Sequence, residues 1–164
     1  MKIRIIYTII IIFLVLQFFQ IEKQNPENSS TNIFTKYETQ ADIKDILEKA
    51  CFDCHSNETT YPWYSYVQPL GWWLQHHMEE GKEHLNFSDF TSRRIASQNH
   101  KFEEIIEMVK SKEMPIPSYT WMGMHKEAKL TDEERSKLTS WAQMQMDLLA
   151  NSYPSDSLVI KRKK

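Results

Sequence analysis

Cys51-Phe52-Asp53-Cys54-His55 constrains this chain more than any other stretch. In a C-x-x-C-H run the two thiols stand one helical turn apart, the separation at which they add to the two vinyl groups of one c-type haem. The adjoining histidine is carried under the ring to ligate iron. Two other chemistries draw on the same residue types. A thioredoxin-like dithiol needs a nucleophilic thiolate and usually a βαβ setting, and no βαβ pattern is present in the sequence. A structural zinc site would need further ligands from elsewhere, because Cys51, Cys54 and His55 lie too close together to close a tetrahedron alone. The expectation is one covalently bound haem c, held by Cys51, Cys54 and His55.

A chain of 164 residues suits one domain with appendages and a small core. Only three glycines, together with abundant Glu, Lys, Gln and Met, favour helices over a sheet, so the expected fold class is all-α. The two cysteines form no disulfide framework beyond their own motif. The formal net charge is −2, but Lys2, Arg4 and the terminal Lys161, Arg162, Lys163 and Lys164 account for six of the 20 basic residues. The remainder carries 14 basic against 22 acidic side chains, a charge of −8. An acidic domain gives no support to nucleic-acid binding.

Lys2 and Arg4 precede an almost unbroken apolar run from Ile5 to Phe19, extending to Ile21 with Gln17 and Gln20 as interruptions. That is a charged n-region followed by an export or membrane segment. At about 1.5 Å per residue the run barely matches a hydrocarbon core of roughly 30 Å. It has no A-x-A-like cleavage site and no lipobox cysteine follows it, so residues 1–21 read as an uncleaved single-pass anchor in a bacterial inner membrane. The positive residues would stay in the cytoplasm and the domain would face the periplasm, or be exported if the leader is cleaved. Covalent haem is attached on that outer side, so two independent signals agree. Residues 22–38 read as a polar linker, 39–151 as the haem-binding domain and 152–164 as a flexible basic tail.

Within the domain, Ile43, Ile46, Leu47 and Ala50 predict a helix over residues 39–50 that runs into Cys51. Leu70, Trp73, Leu74, His77, Met78 and Gly81 predict another over 70–84, and Phe102, Ile105, Ile106 and Val109 a third over 99–112. Thr131-Asp132-Glu133-Glu134 reads as a capping box opening a last helix, whose Leu138, Trp141, Ala142, Leu148 and Leu149 would close the core. Between the last two helices, Pro115 and Pro117 stiffen the loop that carries Met114, so a weak thioether ligand would be presented from a rigid support. Met114 is therefore the candidate sixth iron ligand, with His77, Met122, Met124 and His125 as rivals. As functional groups His77 and His84 could be an alternative sixth haem ligand, hydrogen-bond donors to haem propionates, or part of a metal site with Glu80; as structural groups they are satisfied histidines on a partly buried face, the reading that the helix's own need to bury that side favours.

These residues resemble the class I c-type cytochromes, with a first helix, C-x-x-C-H, Met114 before Pro115 and a closing helix bearing Trp141. More closely, Cys51-Phe52-Asp53-Cys54-His55-Ser56-Asn57-Glu58-Thr59, Tyr61-Pro62-Trp63-Tyr64, Gly81-x-x-His84-Leu85-Asn86-Phe87-Ser88 and Glu113-Met114-Pro115 are similar to the small haem-binding domain family of bacterial envelope proteins. The resemblance covers residues 41–149. It implies a cytochrome c-like helical domain wrapped round one haem, with Cys51 and Cys54 as thioether links, His55 as proximal ligand and Met114 opposite it. The function it favours is a membrane-tethered monohaem cytochrome that exchanges single electrons with redox partner proteins of the envelope. An electron carrier is favoured over an enzyme, since no acid/base constellation for a peroxidase stands out. The alternative is a haem-based sensor or gas-binding module with an open or displaceable sixth site.

Overall fold

The structure is a computed structural model that describes residues 1–23, 29–121 and 124–161. Every regular element among them is helical: α1 (Lys2–Leu16), α2 (Ala41–Leu47), α3 (Asp53–His55), α4 (Leu70–His84), α5 (Ile95–Lys110), α6 (Pro117–Thr120) and α7 (Asp132–Ser152), with short tighter or wider turns between them. The all-α expectation holds.

Two apolar clusters organise the domain. In the larger, α5 turns Phe102, Ile105 and Val109 inward at helical spacing, and α7 meets them with Leu138, Trp141, Ala142 and Leu149. α2 adds Ile43, Ile46 and Leu47 to the same cluster. Aromatic rings bind it together: Phe34, Phe52, Phe87, Phe90, Phe102 and Trp141 follow one another at centroid separations of 5.1–6.4 Å. The smaller cluster holds Tyr64, Leu74, Met78, Tyr119 and Ala128. α7 opens as expected, with Thr131 and Glu134 bonding reciprocally in a capping box. Leu148, expected inside, is exposed, and its place on the inner face is taken by Gln145, which donates to the Glu38 carbonyl at 3.1 Å alongside Trp141 Nε1.

Within the stretch expected as a linker over residues 22–38, the described residues 29–38 make contacts with the helices: Ile33 is fully buried, Tyr37 lies in the larger cluster, and Thr91 N–H donates to Thr31 O at 2.9 Å. A polar stretch with isolated apolar residues carries no period, so its packing leaves no pattern in the sequence. The tail expected from residue 152 still packs Leu158 against the larger cluster, while 162–164 lie outside the described residues. α5 begins at Ile95, four residues before its expected start, because buried Gln98 ties its first turn to the Thr91 and Arg93 carbonyls and accepts from Tyr37 Oη.

The leader also differs from the expected 1–21 segment. α1 has 15 residues, about 22 Å at helical rise, and its isoleucines, Phe13, Leu14 and Val15 are exposed on all sides. The helix stops where the Gln17 side chain engages the backbone of Gln68, accepting from its N–H at 2.9 Å and donating to its carbonyl at 3.1 Å. Ile21 is already buried in the domain. Among the described residues no helix is long and apolar enough to cross a membrane.

α5 ends in a Schellman arrangement: Glu113 N–H donates to Met108 O at 3.1 Å and Lys112 N–H to Val109 O at 3.3 Å, with Lys112 itself at φ 64°. A lysine pays a steric penalty in that left-handed conformation that glycine does not. Its ion pair with Asp132 is exposed and contributes little. Lys112→Gly should therefore raise stability by up to about 1 kcal/mol, read as a higher Tm in thermal denaturation; an unchanged or lower Tm would show that the turn is not strained.

Candidate functional site

α2 does not end before the cysteines. It continues through one wide π turn, Glu48–Phe52, into α3, so that Cys51, Cys54 and His55 all lie on one unbroken helical path. A single wide turn inside a helix is frequent at functional sites. The path runs between the two apolar clusters: Cys51 packs against the larger and Cys54 against the smaller. Both are free thiols, half-buried. Burial pushes the Cys51 thiol up to about 12, with Cys54 adding to the effect, and the Cys54 thiol up to about 11, reinforced by Asp53 and opposed by Lys82. Neither is the low-pKa thiolate that a disulfide oxidoreductase uses.

His55 is held by the end of α4. Its Nδ1 lies 2.9 Å from Gly81 O and 3.0 Å from Leu85 O. Carbonyls only accept, so the ring proton sits on Nδ1 and the lone pair is left on Nε2, the tautomer in which a histidine ligates a metal. Burial lowers the His55 pKa and the two carbonyl bonds oppose it, so the ring is neutral at physiological pH. Phe87 sets its edge against the imidazole at 6.4 Å.

Asp53, between the two cysteines, clasps the segments around them. Its Oδ1 accepts from Thr60 N–H at 2.8 Å and its Oδ2 from Tyr119 Oη at 2.8 Å. Burial and the Asp53 carboxylate raise the Tyr119 pKa far above its ordinary value, so the phenol stays a donor. Ser56 closes the turn after the motif, donating to Phe52 O and accepting from Glu58 N–H, and Ser88 Oγ accepts from Asn57 N–H at 3.0 Å.

The structure brings Cys51, Cys54 and His55 together and places Met114 on the adjoining loop. Met114 N–H donates to Met108 O at 3.1 Å, and Arg135 Nη1 donates to both Val109 O and Met114 O at 2.8 Å. This clamps the half-buried residue between the ends of α5 and α7. Two residues on, Ile116 packs against the cluster that holds Cys54, and Tyr119 belongs to it. The rivals are differently occupied. His125 is buried and stacked on Tyr119 at 3.9 Å, with Nε2 at 2.8 Å from Tyr64 Oη and Nδ1 at 3.4 Å from Glu127. His77 Nδ1 lies 2.9 Å from Trp73 O. Met124 is exposed, and Met122 lies outside the described residues. Among the described residues no three His, Cys, Asp or Glu side chains converge to hold a metal ion. The alternative zinc reading of the motif and the His77, His84 and Glu80 grouping therefore lack the geometry they need.

Sequence reasoning placed Gly81 on the inner stripe of α4 but missed what its lack of a side chain permits. A Cβ there would meet Cys54 O at 2.6 Å, so α4 approaches the motif backbone more closely than any other residue allows. On an exposed helix Gly→Ala stabilises by about 1 kcal/mol. Here Gly81→Ala should have the opposite sign, costing about 1–3 kcal/mol as an overpacked contact and loosening the carbonyls that orient His55. Denaturant titration of the unloaded chain reads the first effect and the fraction carrying haem the second; an alanine variant of normal or greater stability and normal loading would refute the close-approach argument.

The donor set fits haem: two thiols one turn apart on a helix between apolar clusters, beside a neutral imidazole whose Nε2 lone pair is left for iron. The sequence profile of the haem-binding domain matches residues 11–144, from within α1 to the middle of α7. No curated protein and no solved structure matches the chain. With its motif, its oriented histidine and a profile that spans most of its length, the chain belongs to the haem-binding domain family.

Proposed function

We propose that this protein is a monohaem c-type cytochrome carrying single electrons on the outer side of a bacterial plasma membrane. The observation that carries the reading is the orientation of His55, whose one proton is spent on the carbonyls that close α4. When bound, the haem supplies an iron that gains and loses one electron; everything else is done by the chain. Cys51 and Cys54 would hold the haem through thioether links, formed by addition of each thiol S–H across a vinyl group, which needs no oxidant. His55 Nε2 and the Met114 thioether would be the side chains that hold its iron. The clamp of Arg135 on the Met114 carbonyl fixes the loop, so that a weak thioether is held without relying on its own affinity. With both residues so engaged the iron would be closed to substrate, and a rigidly held pair would need little rearrangement between oxidation states.

α1 is apolar all round and exposed, a composition that water does not favour. In this reading it seats the chain in the inner membrane, Lys2 and Arg4 on the cytoplasmic side and the domain in the periplasm, where redox partner proteins of the envelope meet it.

The deciding measurement is the absorption spectrum of the matured protein, oxidised and reduced, with and without carbon monoxide. A low-spin spectrum with the weak far-red sulfur-to-iron band, unmoved by carbon monoxide, is expected, and Met114→Ala should abolish that band and lower the potential. A carbon-monoxide-responsive spectrum in the unaltered protein would hand the reading to a sensor or gas-binding module, and an unchanged spectrum in Met114→Ala would remove that residue from the iron. Covalent attachment is checked separately: Cys51→Ala combined with Cys54→Ala should lose all haem stain on denaturing gels, and stain that persists would defeat the thioether argument.

A further inference from the structure

From Thr59 to Met78 the chain carries no Asp, Glu, Lys or Arg, although 26% of all residues are charged. This stretch forms the 3-10 turn Trp63–Tyr66 and the first turns of α4. Its outward side chains are large and apolar: Trp63 is 73% exposed, Tyr66 57%, Leu70 49%, and Trp72 and Trp73 are exposed as well. Helix burial is satisfied by the opposite face, through Gly71, Leu74 and Met78. A run of exposed aromatic and aliphatic side chains with no charge of its own, on an otherwise acidic domain, marks a contact with something apolar.

What covers it is indicated by what is attached to it. The end of the apolar leader is bonded to this same segment at several points. Gln17 pairs with the Gln68 backbone, Trp72 Nε1 donates to Phe19 O at 2.9 Å, and Gln20 Nε2 donates to Tyr66 O at 3.3 Å. Lys23 then lays its ammonium over the Tyr66 ring. Tyr66 and Trp72 are therefore bonded to the end of the leader, and the other exposed rings follow in the same stretch of chain. Tryptophan and tyrosine collect at the headgroup level of a bilayer, where one part of the ring system is apolar and the other meets a polar partner. The length of α1 points the same way. At about 22 Å against roughly 30 Å of hydrocarbon, a helix this short requires its flanks to sit in the interface, and with Ile21 buried in the domain no polar stalk lifts the flank away.

We propose that the face bearing Trp63, Tyr66, Leu70, Trp72 and Trp73 is a membrane seat, resting on lipid at the headgroup level and holding the domain in one orientation against the bilayer. The proposal rests on the reading that α1 enters the membrane. It makes the leader and the domain one body instead of a domain on a tether.

The test uses the full-length, haem-loaded protein in vesicles of phosphatidylethanolamine and phosphatidylglycerol. A nitroxide is placed after haem attachment on Trp63→Cys, Leu70→Cys, Ile9→Cys or Glu133→Cys, and its collisions with lipid-soluble oxygen and with a water-soluble nickel chelate are compared. Ile9 samples the leader and Glu133, on α7, is the wet control. The expected result is an oxygen-to-nickel ratio several-fold higher at Trp63 and Leu70 than at Glu133, and higher still at Ile9. A buried Ile9 label with Trp63 and Leu70 as wet as Glu133 would overturn the seat and leave the anchored leader intact. Wet labels at Ile9, Trp63 and Leu70 alike would overturn both. Labels at Trp63 and Leu70 shielded from both quenchers would mean that a protein surface covers the face, and would overturn the lipid assignment. Leu70 keeps the test open if the Trp63 variant fails to load haem.

Discussion

The approach of α4 to the motif helix is the contact on which the site depends. Where α4 closes, two carbonyls are turned on His55: that of Gly81, which also accepts from Leu85 N–H at 2.9 Å, and that of Leu85, the residue after the last turn. Burying an imidazole is costly unless its polar atoms are satisfied. Here the N–H is satisfied by backbone, which cannot rotate away as a side chain can. The approach is possible only because residue 81 has no Cβ to strike Cys54 O. One glycine thereby sets the height of α4 over the motif, and that height sets the tautomer and direction of the histidine.

The motif also lies on the seam of the core. Cys51 faces a cluster built by α2, α5 and α7, and Cys54 faces one built by α4, Tyr64 and the loop through Ile116 and Tyr119. The clusters converge on the segment that would carry the ring, and Asp53 ties that segment to Thr60 on one side and to Tyr119 of the smaller cluster on the other. That gives the residue between the cysteines a task beyond filling the motif: it brings the region after Met114 onto the same helix that carries His55. A large apolar ring held between such clusters would complete a core that a domain of this size builds thinly.

Features that depend on neighbours in sequence were legible before the fold was known. The span of α4, the capping box of α7 and the inner faces of α2 and α5 all follow from helical period and cap chemistry, which act within one or two turns. Cys51, Cys54 and His55 were legible because their spacing is itself chemistry. The rest is written in tertiary contacts. Ile33 and Tyr37 look like stray apolar residues in a polar stretch until α5 and Phe90 are placed beside them. Lys112 gives no sign of a left-handed turn that sequence rules reserve for glycine. The carbonyls of Gly81 and Leu85 have no residue-specific signature, since every residue owns a carbonyl. Gln17 interrupts the apolar leader by one polar residue, and only the Gln68 backbone explains why the helix stops there.

α4 links the two halves of this chain's behaviour. Its first turns carry the aromatic edge to which residues 17–20 are bonded, and its last turn carries the carbonyls that orient His55. Fifteen residues at helical rise separate these ends by about 22 Å. A helix of that length, with Leu74 and Met78 packed on the smaller cluster, is stiff on this scale. The distance from the root of the leader to His55 is therefore set largely by one stiff element. The root of the leader and the motif are thus joined through one helix, and if the protein carries electrons as proposed, that helix sets how far from the leader a redox partner would meet the site.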